Sequence, residues 1–372
     1  MGQPRQDAGP CNALQCEHAQ IQPVETRRTI ICGAGIGNEH TIRTWMVAAT
    51  QSIPSIAVIE QYARPLPHAS MPRPLQTMST GRPDDAMHAP RDDEADIRRR
   101  DPHFRFADDI PRYWYRGQSR VTRFFDAFSI MFPLGEKFFV DSVRQYRDAL
   151  PADGMLAAQV DAFLHQEATH IREHRAYNRR LARQGMPVDA LEAIMRRRQQ
   201  QCRRVASPLL RLTFTACLEH YTAILADLLL RDPAILDGAD PSMAAIWRWH
   251  AVEETEHKTV AFDVFRACGG GAVKRYVMRT AAMLGVTACF VVDLGYFVAR
   301  LAVADRDARN WRSWARLGWW LFGAPGVFTR VLPAWLAWFS PRFHPGRIGN
   351  PATLAAARAA LAAADAAATQ SV

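Results

Sequence analysis

The chain has 372 residues, of which 48% are apolar and 22% charged, and its net charge of +9 is largely arginine. The apolar share suffices for one large core or two domains, and the basic balance suits an anionic partner, a membrane surface or solubility alone. No nucleic-acid-binding motif accompanies it, so nucleic acid is not an expected partner; seven scattered cysteines, with no visible signal peptide, argue against a disulfide framework and for a reducing compartment.

Residues 1 to about 97 are rich in Pro, Arg, Asp and small residues and keep neither a helical nor a strand period. A disordered extension and a start codon placed too early both account for this; the second is favoured, with Met71, Met78 or Met87 nearer the true start. Cys11-x4-Cys16 with His18 lacks a second pair of zinc ligands, and Gly33-Ala-Gly-Ile-Gly37 lacks a full glycine fingerprint. Gln6 stands where a myristoylation signal needs Ser or Thr.

The chain changes character at Phe104. Phe124, Phe125, Phe128, Phe132, Phe138 and Phe139 anchor a first helix over Val121–Leu150, which Pro133-Leu-Gly135 should kink or split just before Glu136. A second helix runs from about Ala152 to Gln184 and is closed by Gly185, with Pro187 beyond. A connection of roughly two dozen residues follows, carrying Arg196, Arg197, Arg198, Arg203 and Arg204, and a third helix spans Pro208 to about Leu230. Asp240-Pro241 opens a fourth, which continues to about Ala267 before Gly269-Gly-Gly271. Short links make two antiparallel hairpins, and the long crossover lets the second return along the first. The expected fold class is all-α: a ferritin-like four-helix bundle over 98–270 with a long crossover between helices 2 and 3. Apolar helices over 271–350 and an Ala-rich tail over 351–372 complete it.

Each hairpin repeats one polar pattern: Glu136 then Glu167-Ala-Thr-His170, and Glu219 then Glu254-Thr-Glu-His257. Glu and His three apart share a helix face, and a lone Glu from each of two helices plus Glu-x-x-His from each of two others is the ligand set of a dinuclear carboxylate site. These residues sit in apolar segments, where carboxylates are expensive unless paired or bound to cations. Glu136 and Glu219 are then terminal ligands, Glu167 and Glu254 bridges, and His170 and His257 one cap per metal. Six ligands with four carboxylates suit two iron ions, with manganese the alternative. His174 and His250 lie seven residues from Glu167 and His257 respectively and should meet at one end of the site. They are expected to form a proton relay, to support the ligands or to supply a further one; hydrogen-bonded core histidines are the plain alternative. Glu173, His220, Glu253 and Glu256 lie off this stripe and read as helix–helix salt bridges or as partners that support a ligand, rather than as ligands.

Phe132-Pro-Leu-Gly-Glu-Lys-Phe-Phe139, Gln166-Glu-Ala-Thr-His170 with Glu173-His174, Leu218-Glu-His220 and Trp249-His-Ala-Val-Glu-Glu-Thr-Glu-His-Lys258 followed by Val260-Ala-Phe-Asp-Val264 carry a resemblance. With Pro341-Arg-Phe-His-Pro345 near the end, the chain resembles, over roughly 97–350, the ferritin-like family of predicted metal-dependent hydrolases. The resemblance implies a metal-binding enzyme fold; the reaction is a family label.

Residues 281–304 form an apolar run interrupted by Asp293 and Arg300, and 317–340 are rich in Trp and Phe with Pro325 and Pro333. The first run is long enough to span a bilayer, though Asp293 would be costly there. The second, flanked by arginines, has the composition of an interfacial segment. Packing over the bundle competes with contact to a membrane surface. The expected location is cytoplasmic, peripheral to or embedded in the inner membrane, with a homodimer a further alternative. The function expected is a metal-dependent hydrolase-family enzyme acting on a small, lipophilic substrate. The alternatives are a di-iron oxidase or oxygenase activating O2 and a non-enzymatic metal-binding or membrane-associated structural bundle.

Overall fold

The computed structural model describes residues 96–370. The expectations placed on the N-terminal segment, including Cys11, Cys16, His18 and Gly33–Gly37, lie almost wholly outside the described residues. Among the described residues the fold is all-helical, with one isolated bridge between Tyr115 and Ala239. The helices are α1 (Ser119–Arg144), α2 (Met155–Arg183), α3 (Val188–Val205), α4 (Pro208–Arg231) and α5 (Pro241–His257). They continue with α6 (Val260–Cys268), α7 (Ala272–Ala304), α8 (Trp311–Phe322), α9 (Val327–Ala337) and α10 (Pro351–Gln370).

Local chemistry sets the ends of these helices. Gly185, at φ +80°, closes α2: its N–H donates to the Ala182 carbonyl and that of Met186 to Leu181, the paired bonds of a Schellman turn. Pro208 and Pro241 occupy first turns where no N–H is needed, and Ser207 and Asp240 accept from the freed amides behind them.

Three expectations are corrected. Of the kink or split expected at Pro133, the split does not occur: Pro133 lies inside α1, which ends at Arg144, short of Leu150, and gives way to a 3-10 turn, Arg147–Ala149. The missing Pro133 N–H leaves the Ser129 carbonyl without its helical partner, and the Asn178 side chain donates to it at 2.9 Å. The long crossover is itself mostly helix, α3, packed on α1 and α2. The fourth helix breaks after His257; Lys258 and Thr259 keep helical backbone angles, so α5 and α6 abut.

Helices α1 and α2 pack together, as do α4 and α5, and the ring closes through contacts of α1 with α4 and α2 with α5. The core divides along this ring into two apolar clusters with a polar layer between them. On α1 one cluster reaches Ile130 and the other begins at Phe138, with Glu136 between. On α2 they stop at Phe163 and resume at Tyr177, and on α4 they stop at Cys217 and resume at Ile224. Trp249 and Val260 mark the same gap across α5 and α6.

Helix α7 is long and apolar enough to cross a membrane by length and composition, with 33% of its most apolar window buried. Its buried face, including Phe297 and Leu301, packs on α1 and α4. Asp293 is also buried and meets Arg198 of α3 at 2.7 Å, so its charge has a partner within the protein. Helices α8 and α9 lie on the same side, against α1 and α4 respectively.

Candidate metal centre

The polar layer contains each sequence-predicted site residue. Glu136 comes from α1, Glu167, His170 and His174 from α2, Glu219 from α4, and His250, Glu254 and His257 from α5; all are buried. Helices α2 and α5 run antiparallel there, since Gln166 pairs with His257, His170 with Glu253, and His174 with His250. Their donor atoms form three overlapping groups: Glu136, His170 and His250; Glu167, His170 and Glu254; and Glu167, Glu219 and His257.

Two carboxylates divide their oxygens between two sides of the cluster. Glu167 presents Oε1 3.4 Å from His257 Nε2 and Oε2 3.8 Å from His170 Nδ1. Glu254 presents Oε2 3.4 Å from His257 Nε2 and Oε1 3.5 Å from His170 Nδ1. Glu219 Oε2 joins the His257 side at 3.5 Å, while Glu136 Oε1 lies 4.0 Å from His250 Nε2.

The other nitrogen of each ligand-type imidazole is held from outside. His170 Nε2 donates to Glu253 Oε2 at 3.1 Å, and Glu253 is itself fixed by Trp249 Nε1 and Arg100. His257 Nδ1 donates to Gln166 Oε1 at 3.0 Å, and the Gln166 amide is oriented by donating to the Arg98 carbonyl and Glu256. Such partners engage the outer nitrogen, so each ring aims its other nitrogen inward. Glu256 is anchored by Arg100 and Arg358, Glu173 by Arg172 and the Phe104 amide, and His220 binds the Ala334 carbonyl. Glu256, Glu173 and His220 thus pair outside the central cluster, whereas Glu253 supports His170 directly.

The inward-facing atoms make no hydrogen bonds. Both carboxyl oxygens of Glu136, Glu167, Glu219 and Glu254, with His170 Nδ1, His250 Nε2 and His257 Nε2, are buried without a hydrogen-bond partner. An uncompensated buried charge costs several kcal/mol, so four carboxylates would consume a large part of the roughly 5–15 kcal/mol that holds a domain folded. Burial, reinforced by neighbouring carboxylates, drives Glu136 and Glu167 far above the ordinary carboxylate range, and Glu219 is pushed up to about 8, chiefly by burial. Burial would also raise Glu254, but the charge of His257 holds it well below; His257 in turn rises to about 9 because the surrounding carboxylates outweigh its burial. The protein's own groups therefore neutralise one carboxylate by ion pairing and leave the others to protons. A donor set of oxygens and imidazoles converging without internal partners fits divalent cations.

Sequence reasoning did not find the hydrogen bonds made by Gln166, Ser129 and Asn178. Gln166 precedes a ligand-type Glu and Asn178 lies four residues after His174, but neither spacing distinguishes a buried amide from a solvated one. Among the comparisons, a family model described as predicted metal-dependent hydrolase matches residues 98–349. No curated protein and no solved structure matches the chain.

Proposed function

The chain belongs to the predicted metal-dependent hydrolase family, and from that premise we propose that it is an enzyme with a dinuclear, carboxylate-bridged metal centre in a ferritin-like bundle. One observation carries the reading: Glu167 and Glu254 each turn one oxygen to the His257 side and the other to the His170 side. With two metals bound they would be the bridges, Glu136 and Glu219 the terminal carboxylates, and His170 and His257 one ligand per metal. Two iron ions suit this oxygen-rich set best, with manganese the alternative. Such a pair, when bound, supplies Lewis-acid activation of water for hydrolysis or, as iron, electrons for oxygen activation. The carboxylates would exchange protons for cations on loading, and Glu253 and Gln166 would keep two imidazoles aligned throughout.

The oxidative reading is favoured by a cavity of about 80 Å³ with a predominantly apolar lining, which reaches His250 and Glu254. Phe128, Phe132, Leu225, Leu229 and Trp320 contribute to its walls. A small lipophilic substrate suits such a lining, because the cavity leaves polar groups of a bound molecule few partners besides the centre itself. Metal analysis of anaerobically purified protein, followed by optical spectra on exposure to air, tests both readings. Two irons with an oxygen-dependent absorption band support oxidation; two redox-silent metals support hydrolysis; protein that binds no divalent metal overturns the centre.

A further inference from the structure

We propose that His250 is a third imidazole ligand of the centre, and that a buried chain of hydrogen bonds beginning at Pro133 fixes the tautomer that makes it one. The inference rests on the dinuclear reading and adds to its six ligands. Its starting point is a helix defect. With no N–H at Pro133, the Ser129 carbonyl takes its hydrogen bond from Asn178 Nδ2 at 2.9 Å. That contact decides which end of the Asn178 amide is which, so Oδ1 faces the Ser129 hydroxyl and accepts from it at 2.8 Å.

The proton of Ser129 is thereby committed. Its oxygen, 3.0 Å from His174 Nδ1, can only accept there, so the Nδ1 of His174 carries a proton. With Nδ1 as the donor to Ser129, the neutral tautomer of His174 keeps its lone pair on Nε2. His250 Nδ1, 2.9 Å away, must donate to it. The second nitrogen of a neutral His250 is therefore a lone pair as well. Nε2 has no hydrogen-bond partner, lies 3.0 Å from Glu254 Oε1 and 4.0 Å from Glu136 Oε1, and falls in the same donor group as Glu136 and His170. With a metal bound, this lone pair and the neighbouring carboxylate oxygens would be donors to one cation. Phe132 stacks on His250 with ring centroids 4.5 Å apart and prevents the imidazole from swinging away.

His250 thus completes the Glu136–His170 side, opposite the side formed by Glu219 and His257. Asn178, Ser129 and His174 are positioning residues, since they act on the metal through His250. In this arrangement His174 has both nitrogens engaged within the protein and none left for a ligand.

Zinc titration of the metal-free full-length protein, read by elemental analysis and by nitrogen NMR of 15N-histidine label, tests this. Zn(II) is redox-silent and takes imidazole and carboxylate ligands. The expected result is two zinc ions per chain, with His250 Nε2 bearing metal and His174 Nδ1 bearing a proton. His250→Ala should weaken one of the two sites by at least tenfold and spare the other. Asn178→Leu frees the Ser129 hydroxyl to donate to His174; the His174 proton should move to Nε2, and the same site should weaken about ten- to a hundredfold, the usual consequence of disturbing a ligand's partner. Two zinc ions bound while His250 Nε2 keeps its proton, or His250→Ala binding both at wild-type affinity, overturns the assignment alone. Wild-type protein that takes up no zinc overturns the dinuclear reading itself.

Discussion

Asn178 on α2 donates its side-chain amide to the carbonyl of Ser129 on α1, the acceptor that Pro133 leaves bare. A defect in one helix is thus repaired by the helix packed against it. Asn178→Ala should cost about 1–3 kcal/mol, because it leaves a buried carbonyl unsatisfied. Pro133→Ala restores an N–H at that position, so in the double variant most of this loss should return. Urea unfolding of the metal-free single and double variants measures the coupling; additive losses would refute the repair.

The four carboxylates predict different stoichiometries. Glu254→Ala and Glu167→Ala should each lose both metals, since each divides its oxygens between the two sides. Glu219→Ala should leave one metal on the His170 side, and Glu136→Ala one on the His257 side. Elemental analysis of purified variants checks this pattern. Full occupancy in Glu254→Ala would refute the bridging assignment.

Asp293 gives the fold a pH dependence separate from the metal. Burial, partly opposed by Arg198, pushes its carboxyl from 3.8 up to about 6. The folded chain therefore holds this proton more tightly than the unfolded chain does. The stability that it contributes is full below about pH 4 and is lost as pH rises through about 6. Asp293→Asn should match the wild type at pH 4 and gain up to about 3 kcal/mol at pH 8, given about 1.4 kcal/mol per pH unit of a shift that already includes the Arg198 pairing. Denaturation of the metal-free proteins at both pH values would show it; a constant difference would argue against a titrating Asp293.

Helices α7 to α9 expose Val273, Leu284, Val291, Trp311, Trp319, Phe322, Leu332 and Leu336 on the side of the bundle that they cover. Trp311 and Trp319 are 70% and 67% exposed, more than expected of aromatic residues in a packed layer. With Arg309, Arg312 and Arg316 nearby in sequence, the proposed occupant is an anionic lipid surface. Sedimentation with anionic vesicles should carry the protein down, and Trp319→Ala with Phe322→Ala should weaken this several-fold. Protein that stays in solution with such vesicles at low salt would refute it.

Much of this architecture is legible in the residue pattern because helices translate spacing into direction. The two Glu-x-x-His pairs and the two lone Glu residues already indicate which side chains share a face, and proline and glycine punctuation locates most helix ends. The sequence by itself thus determined the helical class and the Glu and His residues at the centre of the polar layer, though not Gln166, Ser129 and Asn178 around them. It did not reveal that α1 runs through Pro133, since that depends on a donor on α2. Nor could spacing show which oxygen of Glu167 or Glu254 faces which imidazole, or which nitrogen of His250 faces Glu254 and which His174. Those choices were decided only by the tertiary structure. They depend on hydrogen-bond directions between separate helices, set when the helices pack and exclude water from the polar layer.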